Sequence, residues 1–384
     1  MIKIEIFKRF FDKPTNKIKQ SDLSSIENTI LKVQGYSSFA PKINKAQLIQ
    51  YYASCPMLRT CVSKISESIS TNEWQLFKTT KDGTRKQIFD HDLLTLMKTF
   101  NPLFSTGIDG WFLINTYLEL VGNAFVHKER DKSGKVKYLW TYNPLDVEEL
   151  PSAVNEYCYK IRINNEPKFI PMTEIIHIKN PNPQYPFGFG IGIAESLVNE
   201  IQTADLANTQ INQYFYNGAI PPYIVSADIT SEQLKEMSNK WLADNQGYFN
   251  RNKPYFTNTN SLSVHKLMDT FKDMEIVKLI EMDSEIIRKS FGIPPEILGG
   301  VDNSNRATIQ GAREIYAQEV LMPRLLKLKD ILNENLSSEF GTNLVLDFTS
   351  PIPSDKELQL NIMKEFREMF TEDEVRLLAG LQPR

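Results

Sequence analysis

Residues 291–311, "FGIPPEILGGVDNSNRATIQG", constrain the fold of this chain more than any other stretch. A charged helical pattern runs into Pro294-Pro295, and a proline disfavours helical geometry in the residue before it. Gly299 and Gly300 then free the backbone. Asp302, Asn303, Ser304 and Asn305 carry small polar side chains, and Arg306 and Thr308 open a second, longer helical pattern. The stretch reads as a stiff stop followed by a mobile loop between two long helices. A plain surface loop is the bland alternative.

The patterns on either side fill in the rest. Leu58, Val62, Ile65 and Ile69 recur at helical spacing within 48–69. "EWQLFK" and "RKQIFD" flank Asp82-Gly83 as a hairpin, and "HDLLTLMKTFNP" is a short helix stopped before Asn101-Pro102. "GIDGWFLINTYLELVGNAFVHKER" begins as an apolar helix and passes into a strand. Residues 124–180 read as β-rich, with turns at Asp131–Gly134 and Asn164-Asn165.

A Pro/Gly-rich linker, 180–192, leads into a helix with Ile193, Leu197, Ile201, Ala204, Ile211 and Phe215 on one face, ended by Asn217-Gly218. Residues 219–270 form an insertion. In it "PPYIVSA", "KPYFTN" and "SLSVHKL" read as strands, and Thr230 with Gln233 makes a capping box. The helix 271–291 places Ile276, Ile280, Ile287 and Phe291 on one stripe among charged residues. The longest helix spans 306–337, with Pro323 expected to kink it. "NLVLDF" is a strand, and a last helical pattern closes the chain.

Composition bounds the function. The 384 residues are 41% hydrophobic and 24% charged, with a net charge of −3. That balance supports a sizeable core and excludes the global basic field of a tight DNA binder. Cys55, Cys61 and Cys158 form no CxxC pair and read as free thiols. His91, His127, His177 and His265 lie far apart, so no metal site is expected. No signal peptide or membrane span is evident.

Gly188, Gly190 and Gly192 precede a helix, as a phosphate-cradling loop would. Their G-x-G-x-G spacing misplaces the third glycine of the dinucleotide fingerprint, and no Gly-Lys-Ser/Thr follows. The preferred reading is a hinge into a helix. There is no G-x-S-x-G, and the helical carboxylates alternate with Lys and Arg as a solvated face would. His127 and His177 read as core or rim histidines. The aromatics of 212–218 and 245–256, near Arg251 and Lys253, read as packing or subunit contacts, with single-strand stacking as the alternative.

Five stretches in register resemble the portal proteins of tailed bacteriophages, the head-to-tail connectors, in their smaller-sized branch. They are "CPMLRTCVSKISESISTNEWQLF", "HDLLTLMKTFNP", "LELVGNAFVHKERDKSGKVKYLWTYNPLDVE", "EIIHIKN…GFGIGIAESLVNEI…FYNGAIPPYIV" and "FGIPPEILGG…SNRATIQ…YAQEVLMPRLLKLKDILNENL", with "TEDEVRLLAGLQP" after the last. The likeness covers about residues 45–384.

It implies an α+β, elongated protomer. Outside the likeness, residues 1–44 are polar and weakly patterned and read as an N-terminal arm with partial order. A mixed α/β wing, 45–187, follows. Stem helices occupy 188–218 and 271–296, with a small α/β clip, 219–270, between them. A tunnel loop spans 297–307. The long kinked helix and a return strand take 308–352, and a short helical crown 353–384.

The resemblance assigns the tunnel loop Gly299, Gly300, Asp302, Asn303, Ser304, Asn305 and Arg306. Docking positions in the clip are Trp241, Tyr248, Phe249, Arg251 and Tyr255. Hinge positions are Gly188, Gly190, Gly192, Pro294, Pro295 and Pro323. It implies a ring, usually of twelve copies, at one capsid vertex of the virion, assembled in the host cytoplasm. Double-stranded DNA would be packaged and ejected through it without sequence specificity. The implied partners are the terminase large subunit, a head-completion adaptor, and the major capsid and scaffold proteins. No cofactor, membrane or enzymatic activity is implied. The alternatives are a nucleotide-binding enzyme using Gly188–Gly192 and a non-portal ring or scaffold protein.

Overall fold

The computed structural model describes residues 44–80, 84–216, 223–227, 262–266, 276–299 and 306–353, with Arg376 and parts of 230–239. The arm 1–43, the docking residues Trp241, Tyr248, Phe249, Arg251 and Tyr255, the loop positions Gly300 to Asn305 and most of the crown lie outside the described residues.

The first helical pattern is two helices, α1 (Lys45–Ser54) and α2 (Pro56–Ser70). The break falls at Cys55, whose extended backbone precedes Pro56 at the first helical position. Proline is preorganised there because its missing N–H would have no helical partner anyway. Leu58, Val62, Ile65 and Ile69 are all buried, as their spacing predicts.

β1 (Trp74–Thr79) and β2 (Arg85–Ile88) pair antiparallel, and α3 (Asp92–Thr99) follows. His91 caps α3: its Nδ1 accepts from the Leu93 N–H at 3.1 Å. Next comes α4 (Gly107–Val121), apolar enough to be buried on most sides. It packs against α2, where the Thr116 and Ser66 hydroxyls bond at 3.1 Å. Trp111 packs at a tilt against Trp74 of β1 and edge-on to Phe100, tying α4 to the sheet. Each large core side chain here contributes roughly 1.5–3 kcal/mol of burial.

Gly122, with φ +67, ends α4 and turns the chain directly into β3 (Asn123–Arg130). β3 is the centre of a three-stranded antiparallel sheet with β4 (Val136–Tyr142) and β8 (Ile175–Lys179). A second sheet runs β5 (Val147–Glu149), β6 (Cys158–Ile163), β7 (Glu166–Pro171). Asn164 and Asn165, both with positive φ, make the β6–β7 turn. β7 is an edge of this sheet. The Met172 N–H bonds to the Tyr157 carbonyl, so the even-numbered residues of β7 face β6. Pro167, Phe169 and Pro171 therefore turn their backbone groups outward, and two of those three have no N–H to offer.

A single-turn-length 3₁₀ segment, Ile193–Leu197, leads into α5 (Val198–Tyr216). β9 (Tyr223–Ala227) and β10 (Leu262–Lys266), two of the three strands expected in the insertion, pair antiparallel, and the third, "KPYFTN", lies outside the described residues. Thr230 and Gln233 form both arms of their capping box. α6 (Ile276–Ser290) packs on α5.

From 306 to 340 the chain is helical without a break: α7 (Arg306–Ile315), a π-helical turn (Tyr316–Leu321), α8 (Met322–Leu332), a second π-helical turn (Asn333–Ser337) and α9 (Ser338–Phe340). Pro323 sits at the start of α8, just past the first π turn. The Met322 N–H reaches back to the Ala317 carbonyl, five residues earlier. The irregularity expected at Pro323 is thus taken up as a change of helical register ahead of the proline. β11 (Leu344–Phe348) then pairs with β1, closing the sheet β11-β1-β2 from opposite ends of the described chain. Two ion-pair clusters fasten the helical run to the strands. Lys128 and Arg130 of β3 both hold Glu339, and Lys329 holds Asp347 of β11 at 2.9 Å.

Candidate functional site

Two junctions carry the residues singled out by the sequence. The first is the end of α6. Phe291 and Ile293 are buried, and between them Gly292 takes φ +70. The Gly292 N–H bonds to the Lys289 carbonyl and the Ile293 N–H to the Arg288 carbonyl. Arg288 also donates to the Ile293 carbonyl at 2.6 Å. The helix therefore stops at Gly292, two residues before the proline pair expected to stop it. A left-handed residue closes the last turn and Gly is the one that adopts it cheaply. Pro294 is extended, and Pro295 opens a 3₁₀ turn, Pro295–Leu298, that Gly299 ends with φ +78. A Cβ at Gly299 would meet nothing within 4 Å. Arg306, at the far end of the loop, is exposed.

α6 packs against α5, and the charge of Glu200 on α5 reaches Asp283 on α6. Asp283 is buried, and its Oδ2, like Oε2 of Glu200 on α5, has no hydrogen-bond partner among the described residues. Burial, then the nearby Glu200 charge, raises the Asp283 carboxyl above its usual range. The outer surface of the pair is apolar in places. Leu206, Val277 and Met282 are each more than half exposed.

The second junction is where Gly188, Gly190 and Gly192 cross the α4–β3 turn. Asn123 clamps this crossing with its whole amide. Its Nδ2 donates to the carbonyls of Val121 and Gly190 at 2.6 and 3.0 Å. Its Oδ1 accepts from the Gly190 N–H at 2.7 Å and lies 3.2 Å from His177 Nε2. That pattern assigns the Nε2 proton to a neutral His177. Burial and the charges of Lys179, Lys327 and Lys45 push His177 down to about 3. Its ring stacks on Phe125 at 4.3 Å between centroids. Asn180 completes the crossing. Its N–H donates to Gly122, its Nδ2 to Leu118, and its Oδ1 accepts from Lys327 Nζ at 2.6 Å.

The glycines are accounted for by close approach. A Cβ on Gly190 would lie 2.2 Å from the Gly122 carbonyl oxygen, and one on Gly192 would lie 2.4 Å from that of Leu120. The N–H groups that a phosphate cradle would need are already taken. Gly188 donates to Tyr185, Gly190 to Asn123 and Gly192 to Glu195. This geometry removes the basis of the nucleotide-binding alternative. The sequence singled out these glycines but not their partners Asn123 and Asn180; the "GNA" run was the signal for the first. Among the described residues no group of His, Cys, Asp and Glu could hold a metal ion, and no helix is long and apolar enough to cross a membrane.

The sequence profile of the phage portal protein family matches residues 56–380, and the chain belongs to that family. The family is a structural one. An uncharacterized protein of Rickettsia bellii (strain RML369-C) is 24% identical over 316 residues, 79% of this chain and 79% of its own. An uncharacterized protein of Rickettsia felis (strain ATCC VR-1525 / URRWXCal2) is 23% identical over 347 residues, 87% of this chain and 89% of its own. Among solved structures, a chain in the virion of a native gene transfer agent particle superposes with TM-score 0.63 at 18% identity, covering 90% of this chain and 96% of that one. A HK97-family phage portal protein from Corynebacterium diphtheriae gives 0.55 at 11% identity, covering 78% and 96%. The shared fold is the α+β portal architecture.

Proposed function

We propose that this portal protein forms a closed ring, of twelve copies, lining a channel through which double-stranded DNA enters and leaves a capsid. In this reading α5 and α6 are the stem, the insertion 219–270 is the clip that docks the terminase large subunit and later a head-completion adaptor, and 297–307 is the tunnel loop. The ring would sit at one virion vertex, beside capsid and scaffold proteins, after assembly in the host cytoplasm. A related structure, the neck of a native gene transfer agent particle, was computed with C12 symmetry.

The observation that carries the reading is the α5–α6 pair with its anchored loop. A ring needs two different flanks that meet between copies. Leu206, Val277 and Met282 leave apolar surface on the pair for such a contact. The helix end is fixed by buried Phe291 and Ile293, while Gly299 leaves the loop backbone free to project. The charge balance suits passage, since dense Lys/Arg contacts would hold phosphates and stall sliding. The α6 segment mixes Lys278, Glu281, Glu285, Arg288 and Lys289, and the chain as a whole carries −3.

Class averages of the purified particle down its axis, with mass photometry, test the ring. Twelvefold rings with a central channel are expected. A chain that stays monomeric at high concentration and with capsid or scaffold proteins present would defeat the reading. Deleting residues 301–304 should leave rings intact and impair packaging; unchanged packaging would remove the tunnel-loop assignment.

A further inference from the structure

A cavity of about 420 Å³ lies between α4, the segment 191–193 and the helical run 306–340, and the function proposed above makes no use of it. Leu118, Ile193 and Leu328 make much of its wall apolar, and three charged side chains line it: Glu119, Arg324 and Lys327. Two of these cancel. Arg324 reaches Glu119 with both prongs, Nε to Oε1 at 2.6 Å and Nη2 to Oε2 at 3.1 Å, so both carboxylate oxygens are committed.

Lys327 is left over. Among the described residues its Nζ has one hydrogen-bond partner, the neutral Oδ1 of Asn180, and an ammonium has three N–H groups to place. The cavity thus carries one net positive charge on a half-buried ammonium in a mainly apolar wall. Burial, set against Glu119 and reinforced by Arg324, pushes the Lys327 amine down to about 8. A desolvated cation of this kind is costly until an anion joins it.

We propose that this cavity is a carboxylate site. It takes one carboxylate on a short aliphatic stem, with the carboxylate on Lys327 and the stem on Leu118, Ile193 and Leu328. Phosphate fits poorly, because a dianion would meet one uncompensated charge and little polar wall. The carboxylate has two chemical sources: an acidic side chain of a second copy, or a free aliphatic acid.

One experiment with two arms, on the assembled full-length protein, separates them. In the first, a zero-length carbodiimide coupling is followed by peptide mapping, using mixed ¹⁴N- and ¹⁵N-labelled chains. An amide joining Lys327 to an Asp or Glu of another copy identifies a neighbour's side chain as occupant. In the second, butyrate is titrated against neutral butyramide and melting is followed. A butyrate-specific rise of about 2 °C or more, lost in Lys327→Met and in Lys327→Gln, identifies a free acid. The coupling arm uses the unmodified chain and stays decisive if either variant folds poorly. Absence of both the cross-link and the butyrate-specific rise overturns the proposal, as does a rise that persists in both variants. The site does not rest on the ring being a DNA channel, and its failure would leave that reading untouched.

Discussion

A methyl group added at Gly190 would lie 2.2 Å from the Gly122 carbonyl oxygen; added at Gly299 it would meet nothing within 4 Å. The crossing around Gly190 is backbone packed on backbone, with the Asn123 amide spent at both ends and His177 held neutral beside it. The junction around α6 is looser. It fixes one end through Phe291, Ile293 and Arg288, leaves Gly299 in open space, and tolerates two carboxylate oxygens with no partner among the described residues. The difference teaches how one chain holds both a rigid crossing and a tolerant junction. A crossing whose backbone and amide groups are hydrogen-bonded to one another resists substitution, whereas one with slack absorbs it.

The sharpest way to break the comparison is a pair of identical substitutions. Gly190→Ala should cost several kcal/mol, on the order of the largest single-site losses, and yield little soluble protein. Gly299→Ala should cost about 1–2 kcal/mol, the left-handed penalty alone. Equal losses in chemical denaturation would refute the distinction.

Glu119→Gln comes next. It leaves Arg324 and Lys327 together without a counter-charge, and the denaturation free energy should fall by about 3–5 kcal/mol.

The crossing should also be acid-sensitive. His177 is lowered in the folded state to about 3 from its ordinary value of 6.5. The unfolded chain therefore binds the proton first, and stability falls as pH drops from 6.5 toward 3. The slope attributable to His177 approaches about 1.4 kcal/mol per pH unit, and His177→Gln should flatten it in denaturation series.

The smallest effect is expected at the tolerant junction. The Asp283 carboxyl is raised in the folded state, so its stabilising share is present below its ordinary value of 3.8 and lost as pH rises through the raised one. Asp283→Asn should then stabilise the chain at pH 7 by roughly 1 kcal/mol, a gain that vanishes near pH 4.

Much of this was legible in the sequence. Period-three-and-four spacing marked α2, and alternation with Asp131–Gly134 and Asn164-Asn165 marked the hairpins. Thr230 and Gln233 marked a helix start. These signals are local, and local chemistry sets them. What escaped was long-range. Nothing near Asn123 says that its amide will meet Gly190, 67 residues on. Nothing near Lys128 says that it will end on Glu339. Pro56 within the first pattern was a visible break that the apolar spacing masked. At the end of α6 the proline pair drew the eye, while Gly292 made the turn. The glycines 188–192 were visible as a motif, but glycine serves freedom and close approach alike, and spacing alone cannot tell which.

The outward groups of β7 bear on how many copies of one chain can live side by side. With Pro167 and Pro171 on its open edge, that strand can present a single backbone donor, at Phe169, to any passing strand. At the high local concentration of an assembling shell, an inviting edge would let copies stack into ribbons through their main chains. A blunted one leaves neighbours to recognise each other by side chains, which differ from face to face and so can enforce a ring that closes.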